Sequence, residues 1–116
     1  MPDVTSWEKI EKEKLSATIT RQMIFGEKAM LARIFLARGA IVPRHSHINE
    51  QITWIISGAL KFTFDDGERI VRAGEMLLIP ANLPHAAEAL EDTVDMDIFG
   101  PPREDWIKKT DAYLRR

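Results

Sequence analysis

The sequence contains no cysteine among its 116 residues. Disulfide bonds and zinc–thiolate sites are therefore excluded, and any bound metal must be held by nitrogen and oxygen ligands. Long apolar runs are also missing: no stretch approaches the roughly 18 apolar residues of a membrane span, and the first residues lack the apolar segment of a signal peptide. These absences predict a cytoplasmic protein that does not associate with membranes.

An excess of positive charge is missing as well, because 16 Lys and Arg residues stand against 18 Asp and Glu residues. Nucleic acid is therefore not an expected partner. Four basic residues near the C-terminus are interpreted as a solvated tail, namely Lys108, Lys109, Arg115 and Arg116. With 45% hydrophobic residues, a chain of this length can bury roughly two thirds of its unfolded surface, so we expect a single domain over residues 1–116.

Short runs rich in Ile, Val, Phe, Thr and Trp fill the middle of the chain and are separated by Gly, Pro and Asp-Asp-Gly. Such runs predict strands. We place them at 16–23, 29–38, 51–57, 59–65, 68–72, 75–79, 85–89 and 94–99. Asp66-Gly67 predicts a hairpin turn. Eight short strands with closely spaced turns predict an all-β fold, an antiparallel barrel or sandwich.

The two ends of the chain differ in residue pattern from the strand-rich core of the domain, which spans about 29–99. Ser6 followed by Trp7 to Lys14 fits either a short helical turn or an extended arm within an N-terminal arm, 1–28. After the Gly-Pro-Pro sequence, the spacing of apolar residues predicts a short C-terminal helix over about 103–114.

The stretch HSHINEQ holds two of the three histidines in the chain. On an extended backbone His45 and His47 project from the same side, Gln51 returns to that side, and Glu50 points away; a β-bulge would reverse this parity. The alternative is a pair of exposed or packed loop histidines. His85 follows a turn, an apolar strand and a proline corner, a setting in which a barrel presents a ligand.

These four residues, His45, His47, Gln51 and His85, form a predicted site for one divalent metal. A glutamine amide leaves the ion more cationic than a carboxylate would, which favours Lewis-acid chemistry on an anionic substrate over oxygen activation. The ligands do not distinguish between Zn, Ni, Fe and Mn.

The spacing of these residues resembles the two motifs of the cupin family over about Ala29 to Phe99. The first motif is matched by Gly39, His45, His47, Gln51 and Gly58, with Gln in place of the usual Glu. The second motif is matched by Gly74, Pro80 and His85, while Asn82 and Ala89 replace the usual Gly and Asn. The resemblance implies an antiparallel double-sheet jelly-roll barrel that binds one divalent metal.

Three residues on the last predicted strand share one face: Asp95, Asp97 and Phe99. Two carboxylates on one face indicate a wet or functional surface, and for Asp95 a solvent-facing position is an equal alternative. Together with Arg103, the pattern is similar to that of KdgF-type cupins, which share H-x-H-x3-Q, a later His and D-x-F-x3-R. The resemblance implies that Asp97, Phe99 and Arg103 line a substrate pocket beside the metal.

KdgF-type cupins open the ring of 4,5-unsaturated uronates, so the resemblance implies a carboxylated sugar as substrate. Asp97 would then move protons, Arg103 would bind the carboxylate in bidentate fashion, and Phe99 would form an apolar wall. The alternative for Arg103 is a salt bridge with Glu104 or Asp105 at a helix start.

Two other functions stay open at this point: a metal-dependent dioxygenase, and a non-enzymatic module that binds a sugar or small acid. Trp54 lies on the opposite face from Gln51, and Trp54, Trp106 and Tyr113 are assigned to packing or an interface. Cupins commonly dimerise through N-terminal strands, so the apolar segment Ile19 to Phe25 predicts a homodimer.

Overall fold

The computed structural model describes residues 2–115. Within them ten strands form two sheets in which every neighbouring pair runs antiparallel. The strands are β1 (Glu13–Lys14), β2 (Ile19–Phe25), β3 (Met30–Leu36), β4 (Ile41–His45), β5 (Glu50–Ser57), β6 (Ala59–Phe64), β7 (Gly67–Arg72), β8 (Met76–Ile79), β9 (His85–Ala89) and β10 (Thr93–Gly100).

The two sheets face each other and enclose the core. One sheet has six strands in the order β1-β2-β3-β10-β5-β8, and the other has four in the order β4-β9-β6-β7. Apolar side chains from both sheets, among them Ile55, Leu60, Phe62 and Ile79, are buried between them. The predicted fold class, an antiparallel double-sheet jelly roll, is confirmed.

The chain passes from one sheet to the other at Gly58, between β5 and β6. Gly58 has φ 86, a left-handed conformation that side chains other than glycine rarely adopt. A Cβ at this position would also overlap the backbone of Asp92 and Thr93. Glycine is therefore required where the sheets join, and the position of this residue in the first motif has a direct structural reason.

All eight predicted strands are present, and two further strands were missed. β4 has a partly exposed burial pattern and contains Pro43, so it lacks the alternation that identifies a strand. β1 has two charged residues only. The predicted hairpin is confirmed, but β7 already begins at Gly67, so the turn residues are Asp65 and Asp66.

The C-terminal helix is shorter than predicted. An α-helix, α1, covers Glu104–Ile107, and a separate 3-10 turn covers Ala112–Leu114. A continuous helix over 103–114 is wrong because Lys109 has φ 57, which ends α1 and redirects the chain so that Leu114 packs into the core. Among the described residues, no helix has the length and apolar character that a membrane span would need.

The chain ends contact each other across the sheet edge. The N-terminal arm contains a 3-10 turn at Trp7–Lys9. Glu13 accepts ion pairs from Lys109 at 3.3 Å and from Arg115 at 3.2 Å, so these basic residues are not a free solvated tail. Arg116, the last residue of the predicted tail, lies outside the described residues.

Candidate metal centre

Three histidine side chains from different parts of the chain converge between the sheets. His45 ends β4 and His85 begins β9, where the two residues are cross-strand partners. His47 lies in the loop between β4 and β5. One nitrogen from each ring lies within 4.8 Å of the others, a separation that a single metal ion can bridge.

The orientation of each ring is set by a hydrogen bond from its Nδ1 atom to a backbone carbonyl two residues away. The pairs are His45 with Pro43 at 2.8 Å, His47 with Asn49 at 2.9 Å and His85 with Leu83 at 2.8 Å. A carbonyl oxygen only accepts, so Nδ1 carries the hydrogen and Nε2 keeps a free lone pair. This arrangement of outer hydrogen bonds is the one that metal-binding histidines usually have.

The histidines are also kept uncharged. Burial lowers the pKa of His45 to about 4 and the pKa of His47 to about 4, and the positive charge of Arg103 contributes to both shifts. Burial lowers the pKa of His85 as well. Neutral imidazole is the form that binds a metal, so all three rings are available as ligands near neutral pH.

Gln51 completes the cluster from the inner face of β5, where it is buried while Glu50 is exposed. Its amide nitrogen donates to Thr53 Oγ1 at 2.8 Å, which leaves its Oε1 facing His47 Nε2 at 3.1 Å. Both of those atoms are acceptors when His47 is neutral. Two acceptors held this close repel each other unless a cation binds both, so the donor set fits a metal ion.

Gln51, rather than Glu50, faces the histidines as strand parity predicts, but only the parity within β5 accounts for this. Residues 46–49 are not a strand, so alternation cannot be counted from His47. The inward position of Gln51 follows from β5 alone, which begins at Glu50.

A hydrogen-bonded chain runs from Gln51 into the barrel. Thr53, fully buried, donates from Oγ1 to Asp97 Oδ1 at 2.8 Å. Thr53 also accepts from the Gln51 amide, so both hydrogen bonds of this chain run in the direction from Gln51 to Asp97. Thr53 was not identified from the sequence, although it lies two residues after Gln51 on one strand and therefore on the same face.

Asp97 and Asp95 are both buried, at 4% and 3% exposure, so the solvent-facing alternative for Asp95 is wrong. Burial raises the pKa of Asp97, partly offset by hydrogen bonds that include the one from Thr53. Burial raises the pKa of Asp95 well above its usual range, and the adjacent Asp97 raises it further. Asp95 Oδ1 has no hydrogen-bond partner among residues 2–115.

Arg103 is 2% exposed, and its guanidinium lies 5.2 Å from the ring centre of Phe99 and 4.6 Å from that of Trp106. Its Nε and Nη2 atoms bind Asp105 at 3.0 and 2.9 Å. The bidentate edge expected for a substrate is thus occupied by the salt-bridge alternative. Nη1 forms no hydrogen bond to the described residues, and it is the nitrogen left for a ligand.

The polar side chains border a small cavity between the sheets, of about 50 Å³. Its lining includes His45, His85, Gln51, Asp97 and Arg103. The remainder is largely apolar, with Phe99 among the lining residues. The four predicted ligands and the three predicted pocket residues therefore belong to one region of the molecule.

Tyr113, predicted from the sequence to serve in packing or an interface, also belongs to this region. Its ring stacks on that of His45, with centres 4.6 Å apart and an interplanar angle of 27°. The sequence carries no signal for this contact, because Tyr113 lies outside the strand pattern and far along the chain from His45. Trp54, in contrast, points outward and is 43% exposed, as expected.

The family profile of the cupin domain matches residues 32–99. The chain belongs to the cupin family. None of the curated proteins compared with the chain matches it.

The solved structures that resemble it include two small cupins and one larger protein. KdgF from Halomonas sp. has 25% identity and a TM-score of 0.79, covering 85% of this chain and 94% of that one. An RmlC-like cupin from Shewanella frigidimarina has 25% identity and a TM-score of 0.83, covering 91% and 96%. Oxalate decarboxylase from Bacillus subtilis, described with Mn(II) centres, has 21% identity and a TM-score of 0.77, covering 87% and 30%.

Proposed function

We propose that the protein is a metal-dependent enzyme that opens the ring of 4,5-unsaturated uronates, the reaction of KdgF-type cupins. The observation that carries this proposal is the hydrogen-bonded chain from Gln51 through Thr53 to Asp97, which links a predicted metal ligand to a buried carboxyl group. The similarity to KdgF from Halomonas sp. over most of both chains supports the same choice of reaction.

One divalent ion would be held by Nε2 of His45, His47 and His85 and by Oε1 of Gln51. When bound, it supplies a Lewis acid that polarises an oxygen of the substrate. The ligand atoms are neutral, so the site retains its positive charge for an anionic substrate. Elemental analysis of the purified protein identifies the ion among Zn, Ni, Fe and Mn.

Asp97 is proposed to move the proton. Its Oδ1 accepts the hydrogen bond from Thr53, so the proton is exchanged at Oδ2. Ring opening is an isomerisation: Oδ2 takes the proton of the anomeric hydroxyl, the bond between C1 and the ring oxygen breaks, and the resulting enolate receives the proton back at C4. The raised pKa of Asp97 brings this carboxyl closer to the pH at which it can both accept and release a proton.

Arg103 is proposed to bind the substrate carboxylate, with a single hydrogen bond from Nη1. Asp105 and Tyr113 hold the rest of the guanidinium in place. Phe99 is proposed as an apolar wall, since its ring meets that of His47 edge to face at 5.7 Å.

The test is ring opening of unsaturated galacturonate by the metal-loaded protein. We expect loss of the ultraviolet absorbance of the C4–C5 double bond, and no turnover after treatment with a chelator. A KdgF enzyme assayed in parallel is the control. Failure of the metal-loaded protein to act where the control acts would refute the proposal.

A second candidate, a module that binds a small acid without turning it over, is favoured by the size of the cavity. A volume of about 50 Å³ is small beside the 300 Å³ or so of ordinary ligand pockets. This candidate predicts tight binding of a small carboxylate by a protein that lacks turnover, and binding that survives Asp97→Asn.

We also propose a homodimer formed through an apolar patch on the outer face of the six-stranded sheet. Its exposed side chains, here called the outer patch, are Ile52, Trp54, Ile56, Met76, Leu78 and Ile98. An exposed apolar patch on an otherwise charged surface is typical of an interaction site. Because the patch itself carries no charge, it can meet its own copy across a two-fold axis without repulsion. Pairing through β2, the strand over Ile19–Phe25, is the alternative.

A further inference from the structure

The C-terminal segment forms part of the wall of the cavity beside the histidines. After α1 the chain turns back, and the 3-10 turn Ala112–Leu114 packs against β4. Leu114 enters the core at 6% exposure. Tyr113, half-buried, stacks its ring on His45 and lines the cavity.

The ring of Tyr113 is held in this position at its hydroxyl end. The hydroxyl oxygen accepts a hydrogen bond from Arg103 Nη2 at 2.5 Å and a weaker one from Trp106 Nε1 at 3.4 Å. With His45 against its face and two donors at its tip, the side chain has little freedom to move independently of its backbone.

That backbone is in turn fixed by buried charges. Asp111, directly before the turn, forms an ion pair with Arg21 of β2 at 2.8 Å, and both side chains are at most 1% exposed. Arg115, directly after it, binds the same Asp111 at 2.8 Å. A buried ion pair that lost one partner would leave an uncompensated charge, so the segment is firmly attached on both sides of Tyr113.

A second cleft, beside His47, is lined by Glu27, Glu104 and Asp105 and by no Lys or Arg side chain. Glu104 pairs with Lys108 and Asp105 with Arg103, so this cleft offers an anion no free cationic side chain among its lining residues. An anionic ligand is therefore favoured in the inner cavity, whose lining includes Arg103 and Tyr113.

We propose that Tyr113 is a specificity-determining residue of this site, whose ring limits the size of the carboxylic acid that reaches the three histidines. The inference rests on the proposed function in taking a carboxylate as ligand. It adds that the C-terminal segment, outside the matched family profile, sets which acids fit.

The experiment uses cobalt(II)-loaded full-length protein and follows the visible absorption of the metal during titration with acetate and, separately, with D-galacturonate. The quantity compared is the ratio of the two dissociation constants, galacturonate over acetate. Tyr113→Ala removes the ring, whereas Tyr113→Phe keeps the ring and serves as the size-matched control. Cobalt content and thermal unfolding of each variant show that the site and fold are intact.

We expect Tyr113→Ala to lower the ratio at least tenfold and Tyr113→Phe to leave it within threefold of the unsubstituted protein. A ratio unchanged by Tyr113→Ala would overturn the proposal. The absence of any response to either acid, in both the variant and the unsubstituted protein, would overturn it as well. Should Tyr113→Ala lose cobalt, Tyr113→Val, which is larger than alanine but still much smaller than the ring, replaces it, with a lowered ratio still required. Turnover of unsaturated galacturonate is measured separately, so a failure of the uronate reaction leaves this ratio as an independent result.

Discussion

The two faces of the central strands β5 and β10 are opposite in character to what an antiparallel sheet usually shows. Toward the core they present polar side chains, including Gln51, Thr53 and Asp97, all buried. Toward solvent they present apolar ones, including Trp54 and Ile98. The common arrangement is apolar inside and polar outside, and both departures occur on the same two strands.

The side chains on the two faces meet different physical requirements. Burying polar groups is costly unless they are hydrogen-bonded, and on the inner face Gln51, Thr53 and Asp97 are bonded to one another. On the outer face nothing within the described part of the chain covers Trp54. The inner face is therefore interpreted as a site and the outer face as a contact surface, and substitutions on each face should separate the two roles.

The largest effect is expected at the inner histidine His85. His85→Ala removes one of three converging nitrogen ligands, so the purified protein should lose its metal and its turnover. Elemental analysis of the variant beside the unsubstituted protein measures this. Full metal content in the variant would show that the cluster is not the metal site.

A second change on the inner face should separate chemistry from metal binding. Asp97→Asn keeps the shape of the side chain but cannot exchange a proton, so we expect turnover to fall by about 10²- to 10⁴-fold, the range typical of a general acid or base. Metal content should stay the same. Turnover within a few fold of the unsubstituted protein would rule out the role given to Asp97.

Thr53 tests whether the hydrogen-bonded chain positions the amide of Gln51. Thr53→Val has nearly the same shape but no hydroxyl, so the Gln51 oxygen loses its fixed direction and metal affinity should fall about 10- to 100-fold, as for other groups that orient ligands. Thr53→Ser should restore the affinity. If the serine variant binds no better than the valine variant, packing rather than hydrogen bonding explains the loss.

The pH dependence of metal affinity should reflect the buried histidines. Protons compete with the metal only where a ligand is protonated, and burial lowers the pKa of His45 and of His47 to about 4. Burial also lowers the pKa of His85, so affinity should stay nearly constant as the pH falls from 8 past 6.5. Protons should compete for His45 and His47 only from about pH 5 downward, one unit above their pKa values. Competition titrations at each pH measure this. A decrease that already begins near pH 6.5, the value for exposed histidine, would contradict the lowered pKa values.

The smallest effect on the site is expected from the outer face. Trp54→Lys places a charge in the outer patch, so two copies would repel each other and a dimer should become a monomer in analytical ultracentrifugation. Metal content should be unchanged, because Trp54 points away from the cavity. A mass that matches the dimer in both proteins would exclude the outer patch as the interface and favour pairing through β2.

The strands were predictable where alternation is regular, and the site was predictable where it lies on such strands. β5 and β10 show period-two patterns that place Gln51 with Thr53, and Asp97 with Phe99, on one face of each strand. Because Trp54 and Ile98 on the other face are apolar, the motif spacing rather than the alternation selected the inward face. β4 was missed because Pro43 and partial exposure interrupt its pattern. The pairing of His45 with His85 therefore could not be derived from strand assignments, although their motif spacing brought both into the predicted ligand set.

The C-terminal segment was the least predictable part. Its apolar residues fit a helical spacing, yet Lys109 takes a left-handed conformation and the helix ends there. The causes are contacts with distant residues, the ion pair of Asp111 with Arg21 and the packing of Leu114 in the core. Local propensity is a weak preference that such tertiary contacts override.

Taken alone, strand alternation and turn signals predicted an antiparallel barrel or sandwich, because they are local properties of the chain. The motif spacing that resembles cupins added the jelly roll, the ligand set of three histidines with a glutamine, and the inward place of Asp97. Folding alone decided that Asp95 is buried, that Asp105 occupies the bidentate edge of Arg103, and that Tyr113 covers His45. These outcomes depend on which distant side chains compete for the same space and the same hydrogen bonds, and no local pattern in the sequence carries that information.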